Sequence, residues 1–428
     1  MNNLVWFRND LRVNDNHSLL NATKNTGKII GVYCFDPRHF AATKYGFKKT
    51  EKFRARFLLE SVSELKRNLA EKNISLLIYF DQPEAVFENI IAKYDISNVY
   101  FQKEFTEEEI SVLRNLQDFE NLAGVQWVET FDQFLFHPDD IPYQNISQLP
   151  QIFTVFRKEC EKKVSIRKTV TIEKQADSNF IENSTRTPTL NELGFEDFAT
   201  HLHSAFPFKG GENQALKRVE NYFFETQNLS QYKQTRNGLI GTDYSSKLSA
   251  WLANGSISSK TIYWKVKEYE KQFGANEDSY WLIFELIWRD YFKYVSMKFG
   301  NQIFQIDGIL NQKYDWKFNQ KAFNQWISGN TNEPFVNANM IELAETGFMS
   351  NRGRQNVANF WAKEWQQDWR IAAAYFESLL IDYDVHSNYG NWMYNSGVGN
   401  DPRDRKFNIK RQAEMYDGNG EFQKLWLR

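Results

Sequence analysis

Cysteine is nearly missing from this chain of 428 residues: there are two, Cys34 and Cys160. That is too few for a disulfide scaffold or a cysteine-rich zinc site, and a reducing, cytoplasmic setting is expected. Charge of one sign is also missing. Lys and Arg total 52 and Asp and Glu 54, which argues against bulk electrostatic binding to nucleic acid and leaves room only for a local basic surface. Long apolar runs are missing too. The most apolar window, "WLIFELIW", is short and broken by Glu285, so no membrane span is expected. The start, "MNNLVWFRNDLR", is charged within ten residues, and no signal peptide is expected. No G-x-G-x-x-G follows the first candidate strand, and there is no G-x-x-x-x-G-K-[ST], no H-E-x-x-H and no G-x-S-x-G. Ordinary dinucleotide, P-loop, metalloprotease and serine-hydrolase readings lose their support. Tandem repeats and low-complexity tracts are lacking as well.

Aromatic residues are abundant instead. They make up 16% of the chain, as 36 Phe, 20 Tyr and 13 Trp, and eleven of the tryptophans fall after residue 211. Two readings stand. One is a core filled with aromatic volume, which composition alone favours; the other is a protein that binds flat ligands or moves charge through rings.

Residues 1–130 alternate strand and helix patterns. Candidate strands are Asn3–Phe7, Lys28–Phe35, Ile74–Phe80, Asn98–Phe101 and Val125–Glu129. Between the second and third, Phe53, Phe57, Leu58, Val62, Leu65 and Leu69 mark one helical face. This pattern predicts an α/β domain with a doubly wound parallel sheet. Residues 131–211 lose periodicity and read as an interdomain linker crossing the surface. Residues 212–428 read as a larger all-α domain. Within it, Tyr280–Lys298 is apolar nearly all round yet carries Glu285, Arg289 and Asp290, and buried charges need partners.

Four stretches carry candidate chemistry. Glu285 and Arg289 stand four apart, either as an intrahelical ion pair or as groups facing a cleft, with Trp288 as core or stacking wall. "TDYSSKLS" (Thr242–Ser249) is either a hydroxyl helix cap or a phosphate cradle in which Lys247 joins the backbone N–H groups. In "NRGRQNVANFWAKEWQQDWR", Asn351 is a candidate helix cap. Arg352 and Arg354 would then lie in the first turn, against the dipole, which calls for an anionic partner: a carboxylate, a pyrophosphate or a nucleic-acid phosphate. Trp365, Trp369, Phe376 and Leu380 follow at helical spacing, as a core stripe. Finally, "DYDVHSNYGNW" (Asp382–Trp392) would set Asp382, Asp384 and His386 on one side of an extended chain. It lacks the further ligands of a metal site. Acids and amides beside an arginine-rich helix start point to a carboxylate–guanidinium pair, with the amides free to bond a heteroaromatic ring.

Taken in order, "LVWFRNDLRVNDN", "QLPQIFTVFRK", "DYSSKLSAWLANGSIS", "FELIWRDYF", "GFMSNRGRQNVANFWAKEWQQDWR", "LLIDYDVHSNYGNWMYNSGVGNDPRDRKFN" and "YDGNGEFQKLWLR" resemble the photolyase/cryptochrome family, most closely its DASH cryptochromes, over essentially the whole chain. The resemblance implies an antenna domain followed by a helical domain holding FAD. It implies FAD contacts at Tyr232, Ser245, Ser246, Lys247, Leu248, Ser249 and Arg289. Arg354 and Asp382 would form the ion pair beside the flavin, with Tyr383, Asp384 and Asn388 in contact with it. It implies an electron relay through Trp392, Trp369 and Trp316. Glu285 and Asn351 would contact a cyclobutane pyrimidine dimer, with Trp288, Gln355, Tyr394 and Arg352 on the DNA side. Gln355 and Tyr394 stand where ordinary dimer photolyases tend to carry Met and Trp, which fits single-stranded or opened DNA. Glu104, in "YFQKEF", matches the acid that contacts a 5,10-methenyltetrahydrofolate antenna. The expected function is light-driven dimer repair by a monomer; the alternative is a blue-light photoreceptor with little repair. His386 and Tyr389 depart from the Cys and Trp expected in close relatives, and His386 has no assigned role beyond packing or bonding in its loop. A long C-terminal regulatory tail is not expected.

Overall fold

The computed structural model describes residues 1–401 and 403–427; positions 402 and 428, inside the last two stretches quoted above, lie outside the described residues. Five strands, β1 (Asn2–Trp6), β2 (Ile29–Cys34), β3 (Ser75–Tyr79), β4 (Ile96–Gln102) and β5 (Gln126–Thr130), form one parallel sheet in the order β3-β2-β1-β4-β5. The central strand is apolar on both faces because both are covered. Val5 packs with Phe35 and Leu65 on one side, and Leu4 and Trp6 with Phe87 and Ile90 on the other. The covering helices are α1 (His17–Thr23), α2 (Lys52–Glu71), α3 (Pro83–Lys93) and α4 (Glu107–Gln117). Strand order reverses between β1 and β4, and a doubly wound sheet opens a crevice at the carboxyl ends of the strands there.

The segment 131–211 differs from a surface linker in its first part. Phe134, Leu135, Phe136, Leu149 and, on α5 (Phe153–Lys163), Phe153, Phe156 and Cys160 are buried in the helical core. Apolar residues this dense are held by burial even without a clear period. The polar remainder returns to the sheet: Asn179 bonds the backbone of Ile29 and Asn73, and Ile78 N–H donates to Thr185 Oγ1. It thereby covers the edge strand β3.

The helical part contains α6 (Glu212–Val219), α7 (Tyr232–Thr235), α8 (Ser249–Ala253), α9 (Ser259–Phe273), α10 (Glu277–Phe299), α11 (Gln320–Ile327), α12 (Pro334–Thr346), α13 (Asn351–Asn359), α14 (Trp369–Leu379), α15 (Val385–Ser396), α16 (Ile409–Tyr416) and α17 (Glu421–Trp426). Among the described residues no helix is long and apolar enough to cross a membrane. The loop after β1 locks the two parts together. Arg12, fully buried, donates to the carbonyls of Asp15, Asp132 and Gly255, Asp15 pairs with Lys260 at 2.8 Å, and Glu212 accepts from Val13 and Asn14 N–H. Gly255 permits this approach: at φ +71° a Cβ there would sit 2.0 Å from the Asn9 carbonyl oxygen.

Helix α10 begins in a capping box between Asn276 and Ser279 and runs through the centre of the helical part, packed on α7 and α15. Its charges find partners off the helix. Asp290 accepts N–H bonds from Leu135 and Phe136 at 2.8–3.0 Å, and Lys293 pairs with Asp384 at 2.9 Å.

Candidate functional site

Of the two readings of Glu285 and Arg289, the intrahelical pair is not formed among the described residues. Glu285 pairs with Arg236 instead, at 2.7 Å, while Arg289 donates to the carbonyls of Gln133 (2.5 Å) and Leu252 (3.0 Å). Off-helix partners win because they satisfy groups that the core would otherwise strand. Burial raises the Glu285 carboxyl above its usual range, and Arg236 opposes that rise.

Helix α13 is capped by Ser350, whose hydroxyl accepts from Gly353 N–H; Asn351 is the exposed first helical residue rather than the cap. The Arg354 guanidinium meets both oxygens of the buried Asp382 at 2.8 and 2.9 Å, and its Nε–H donates to the Met349 carbonyl. Of the three anions open in the sequence, Arg354 thus takes a carboxylate. Arg352 donates to Gln355 Oε1 and Asn237 Oδ1 and lies over the Tyr416 ring.

The stretch Asp382–Trp392 is not extended. Asp384 caps α15, accepting from Ser387 N–H at 2.8 Å, and the chain is helical from Val385. Helical spacing, not a loop, puts Asn388 and Trp392 on one face. His386 is buried on α15 beside Phe105, and its Nδ1 finds no hydrogen bond among the described residues. Burial, with Lys293 nearby, pushes its imidazole down to about 3, so it is neutral. Burial works against the Asp384 carboxylate, but Lys293 holds it far below the usual range.

Lys247 also differs from the cradle reading. At φ +62° its ammonium is buried against the rings of Tyr244 (3.1 Å) and Phe348 (4.7 Å), without a hydrogen-bond partner among the described residues. An anion at this position would meet its backbone N–H, not its charge. The loop is shaped by a residue that sequence reasoning missed, Arg218, which donates to the carbonyls of Thr242, Ser245 and Ser246 and pairs with Asp243. Ser246 and Leu248 are buried, Ser245 half-buried and Ser249 exposed, with Tyr232 buried on α7.

Asn351, Arg354, Gln355, Asp382, Tyr383, Asp384, Asn388 and Trp392 line one small cavity. Asn388 donates to the Ala373 carbonyl at 3.0 Å, which fixes its amide, and its oxygen accepts no hydrogen bond among the described residues. The set offers a guanidinium–carboxylate pair, a fixed amide and an indole around one space. These are the donors, acceptors and stacking face a flavin ring requires. Trp288 and Tyr394, which are not among the residues lining this cavity, meet at right angles with centroids 6.0 Å apart, and Tyr394 is held by Arg405 at 2.9 Å. Among the described residues the three tryptophans expected to relay electrons do not stack on one another. Trp392 packs on Phe376 and Trp326, Trp369 on Tyr389 with its N–H on the Ile306 carbonyl, and half-buried Trp316 on Tyr314. Backbone bonds from Lys317 to Gln366 and Asp368 bring the Trp316 and Trp369 segments together.

A second, larger cavity of about 440 Å³ lies where the strand order reverses, between the two parts. Glu104 follows β4 and accepts from Asn9, which follows β1, and from Gln102. Arg289, Lys293, Asp384 and His386 line its other side. Burial, reinforced by Glu104, raises Glu109 to about 8, and burial lowers His39 to about 4.

The chain is similar to known proteins over nearly its whole length. The DNA photolyase family model matches residues 3–176, and the FAD-binding domain of DNA photolyase matches 281–428. Cryptochrome DASH of Xenopus laevis is 45% identical, covering 99% of this chain and 82% of that protein; the one from Gloeobacter violaceus is 44% identical, at 99% and 85%. The crystal structure of a Synechocystis cryptochrome superimposes with TM-score 0.94 at 45% identity, covering 100% of this chain and 88% of that one. A bacterial class III photolyase from Agrobacterium tumefaciens, at 24% identity and TM-score 0.84, shares the fold.

Proposed function

Because this chain belongs to the DNA photolyase family, on its cryptochrome DASH branch, we propose that it is a blue-light-driven repair enzyme for cyclobutane pyrimidine dimers in single-stranded DNA. The observation that carries this reading is the shared lining of the small cavity. Asn351 and Gln355, the expected substrate contacts, border the same space as Arg354, Asp382 and Asn388, the expected flavin contacts. Arg354, Asp382 and Asn388 would hold the ring of FAD there, and the cofactor when bound would supply light-driven one-electron transfer.

The chain's own groups have separate tasks. Arg354 and Asp382 fix the polar edge of the ring, and Asn388 presents its carbonyl oxygen. Glu285, raised by burial, donates a hydrogen bond as the neutral acid or accepts one as the carboxylate; Asn351 adds an amide. Both bond the flipped bases and stabilise charge arriving on them. Trp288 and Tyr394 flank the extruded pair, and unpairing costs least in a single strand. Trp392, Trp369 and Trp316 return electrons from the surface when the flavin is oxidised. Glu104 and the larger cavity hold a folate antenna.

The test uses photoreduced protein and dimer-containing oligo(dT), following recovery of thymine absorbance under blue light. Recovery is expected, and Glu285→Ala should slow it roughly 10–100-fold, the loss of a charge-assisted bond of about 1.5–3 kcal/mol, with flavin content unchanged. No recovery in the unsubstituted protein rejects the enzyme. It would leave the photoreceptor reading, which the polar Gln355 and Tyr394 wall favours.

A further inference from the structure

We propose that an aromatic strip on α10 binds the nucleotides flanking the damaged pair on a single DNA strand; the inference rests on the repair reading above. Helix α10 buries Leu282, Ile283, Leu286 and Ile287. Trp281, Phe284, Glu285 and Trp288, at i, i+3, i+4 and i+7, are each only part-buried and so share one open face. Tyr394, Trp288, Phe153, Phe284 and Trp281 form an unbroken run of rings along this face. Tyr394 meets Trp288 edge-on, and Trp288 stacks on Phe153 (3.6 Å, 13°). Phe153 meets Phe284 edge-on (5.3 Å, 89°), and Phe284 stacks on Trp281 (4.6 Å, 28°). Ile152 and Val155, at the start of α5, are 47% and 43% exposed. With the half-buried Trp281, Phe284 and Trp288 they make a partly open apolar strip, and contiguous open apolar surface marks an interaction site.

Charge identifies the occupant. Lys233 and Arg236 lie 4.5 and 5.4 Å from the Trp281 ring centroid, and Arg157 lies 5.5 Å from that of Phe284. Each has an acid of its own, Glu277, Glu285 and Glu161 respectively. Among the described residues Arg352 is bonded only to neutral amides, and Nε of both Arg236 and Arg352 is buried without a partner. The strip therefore presents half-buried rings, partly overlaid by these cations, and no large positive field. That combination suits sequence-tolerant stacking of unpaired bases, each of which has a π-face, with little phosphate neutralisation. It also continues the wall formed by Trp288, so a strand whose dimer enters the cavity lays its next bases along Phe284 and Trp281.

The experiment measures binding of labelled, undamaged oligo(dT) by fluorescence anisotropy across a salt series, which does not depend on repair. Trp281→Ala with Phe284→Ala should weaken binding roughly 10–100-fold while the salt slope stays unchanged. Trp281→Leu with Phe284→Leu keeps apolar volume, guards against misfolding, and should lose nearly as much. On an isolated dinucleotide dimer, without flanking bases, repair by the leucine variant should match the unsubstituted protein. Unchanged oligo(dT) affinity in the leucine variant would overturn the inference. So would an equal loss on the isolated dimer, or a solution dimer of the chain that the substitutions dissociate. Should the protein repair nothing yet lose oligo(dT) affinity as expected, the strip stands and the enzyme reading falls.

Discussion

The two cavities are built in opposite ways. Every residue lining the smaller one comes from Asn351–Asn395, and its central ion pair spans only 28 positions, from Arg354 to Asp382. The larger cavity is lined by both parts of the molecule, from Trp6 to Tyr389, and its charges come from segments after the β-strands and from α2, α4, α10, α14 and the start of α15. A site made from one contiguous stretch can be fixed by local helix geometry. A site at a strand-order reversal exists only once the sheet is wound and the helical part docked on it. Asp384 and Tyr383 line both, so the cavities share a wall and the question is how independent they are.

The largest effect expected from breaking the small cavity alone comes from Arg354→Ala. It leaves Asp382 buried with its guanidinium partner gone, a cost of about 3–5 kcal/mol. The flavin-to-protein ratio after gel filtration should fall at least tenfold, about 1.4 kcal/mol of affinity, while a ligand of the larger cavity is retained. Loss of both ligands together would show that the shared wall couples the sites. A smaller effect is expected from Glu104→Gln. This substitution removes the charge that Asn9 and Gln102 support and should weaken folate retention about tenfold with flavin content unchanged. Undiminished folate absorbance in the purified variant would disconnect Glu104 from the antenna.

The smallest effect concerns the layer behind the small cavity. Glu342 is fully buried on α12 with no hydrogen bond to either carboxylate oxygen among the described residues; burial raises it from 4.5 to about 8, against the pull of Lys247 and Arg354. The native chain keeps a proton there that the unfolded chain has released. This contribution to stability is complete below about pH 4.5 and is lost as pH rises through about 8. Glu342→Gln, which stays neutral, should melt near the unsubstituted protein at pH 5 and a few degrees above it at pH 9. Parallel melting curves at both pH values would mean that Glu342 is charged and paired in solution.

Much of this was legible from residue order. All five strands fall within two residues of the apolar runs that predict them, because a central parallel strand must be apolar on both faces. The first-turn arginines of α13 pointed to an anion, and Asp382 is there for Arg354. What local pattern misjudged were side chains whose partners lie far along the chain. Glu285 and Arg289 have ideal intrahelical spacing, yet each is taken by a group on another segment. Lys247 stands in a run of hydroxyls, but its left-handed backbone sends the ammonium into the core. Asp384 and His386 alternate as in a strand, but Asp384 starts a helix.

The sequence by itself determined the element periods, the apolar faces, the aromatic load of the second half and the Arg354–Asp382 neighbourhood. These depend on spacing within a few turns or on a single short connection. Only the tertiary structure decided that Lys293, 91 positions away, neutralises Asp384, that Asp290 holds the backbone of Leu135, 155 positions away, and that Asn9 and Glu104 meet at one crevice. Long-range pairings of this kind leave no periodic trace. They arise when burial strips water from charged groups and leaves them whichever partner the packed chain has brought within reach.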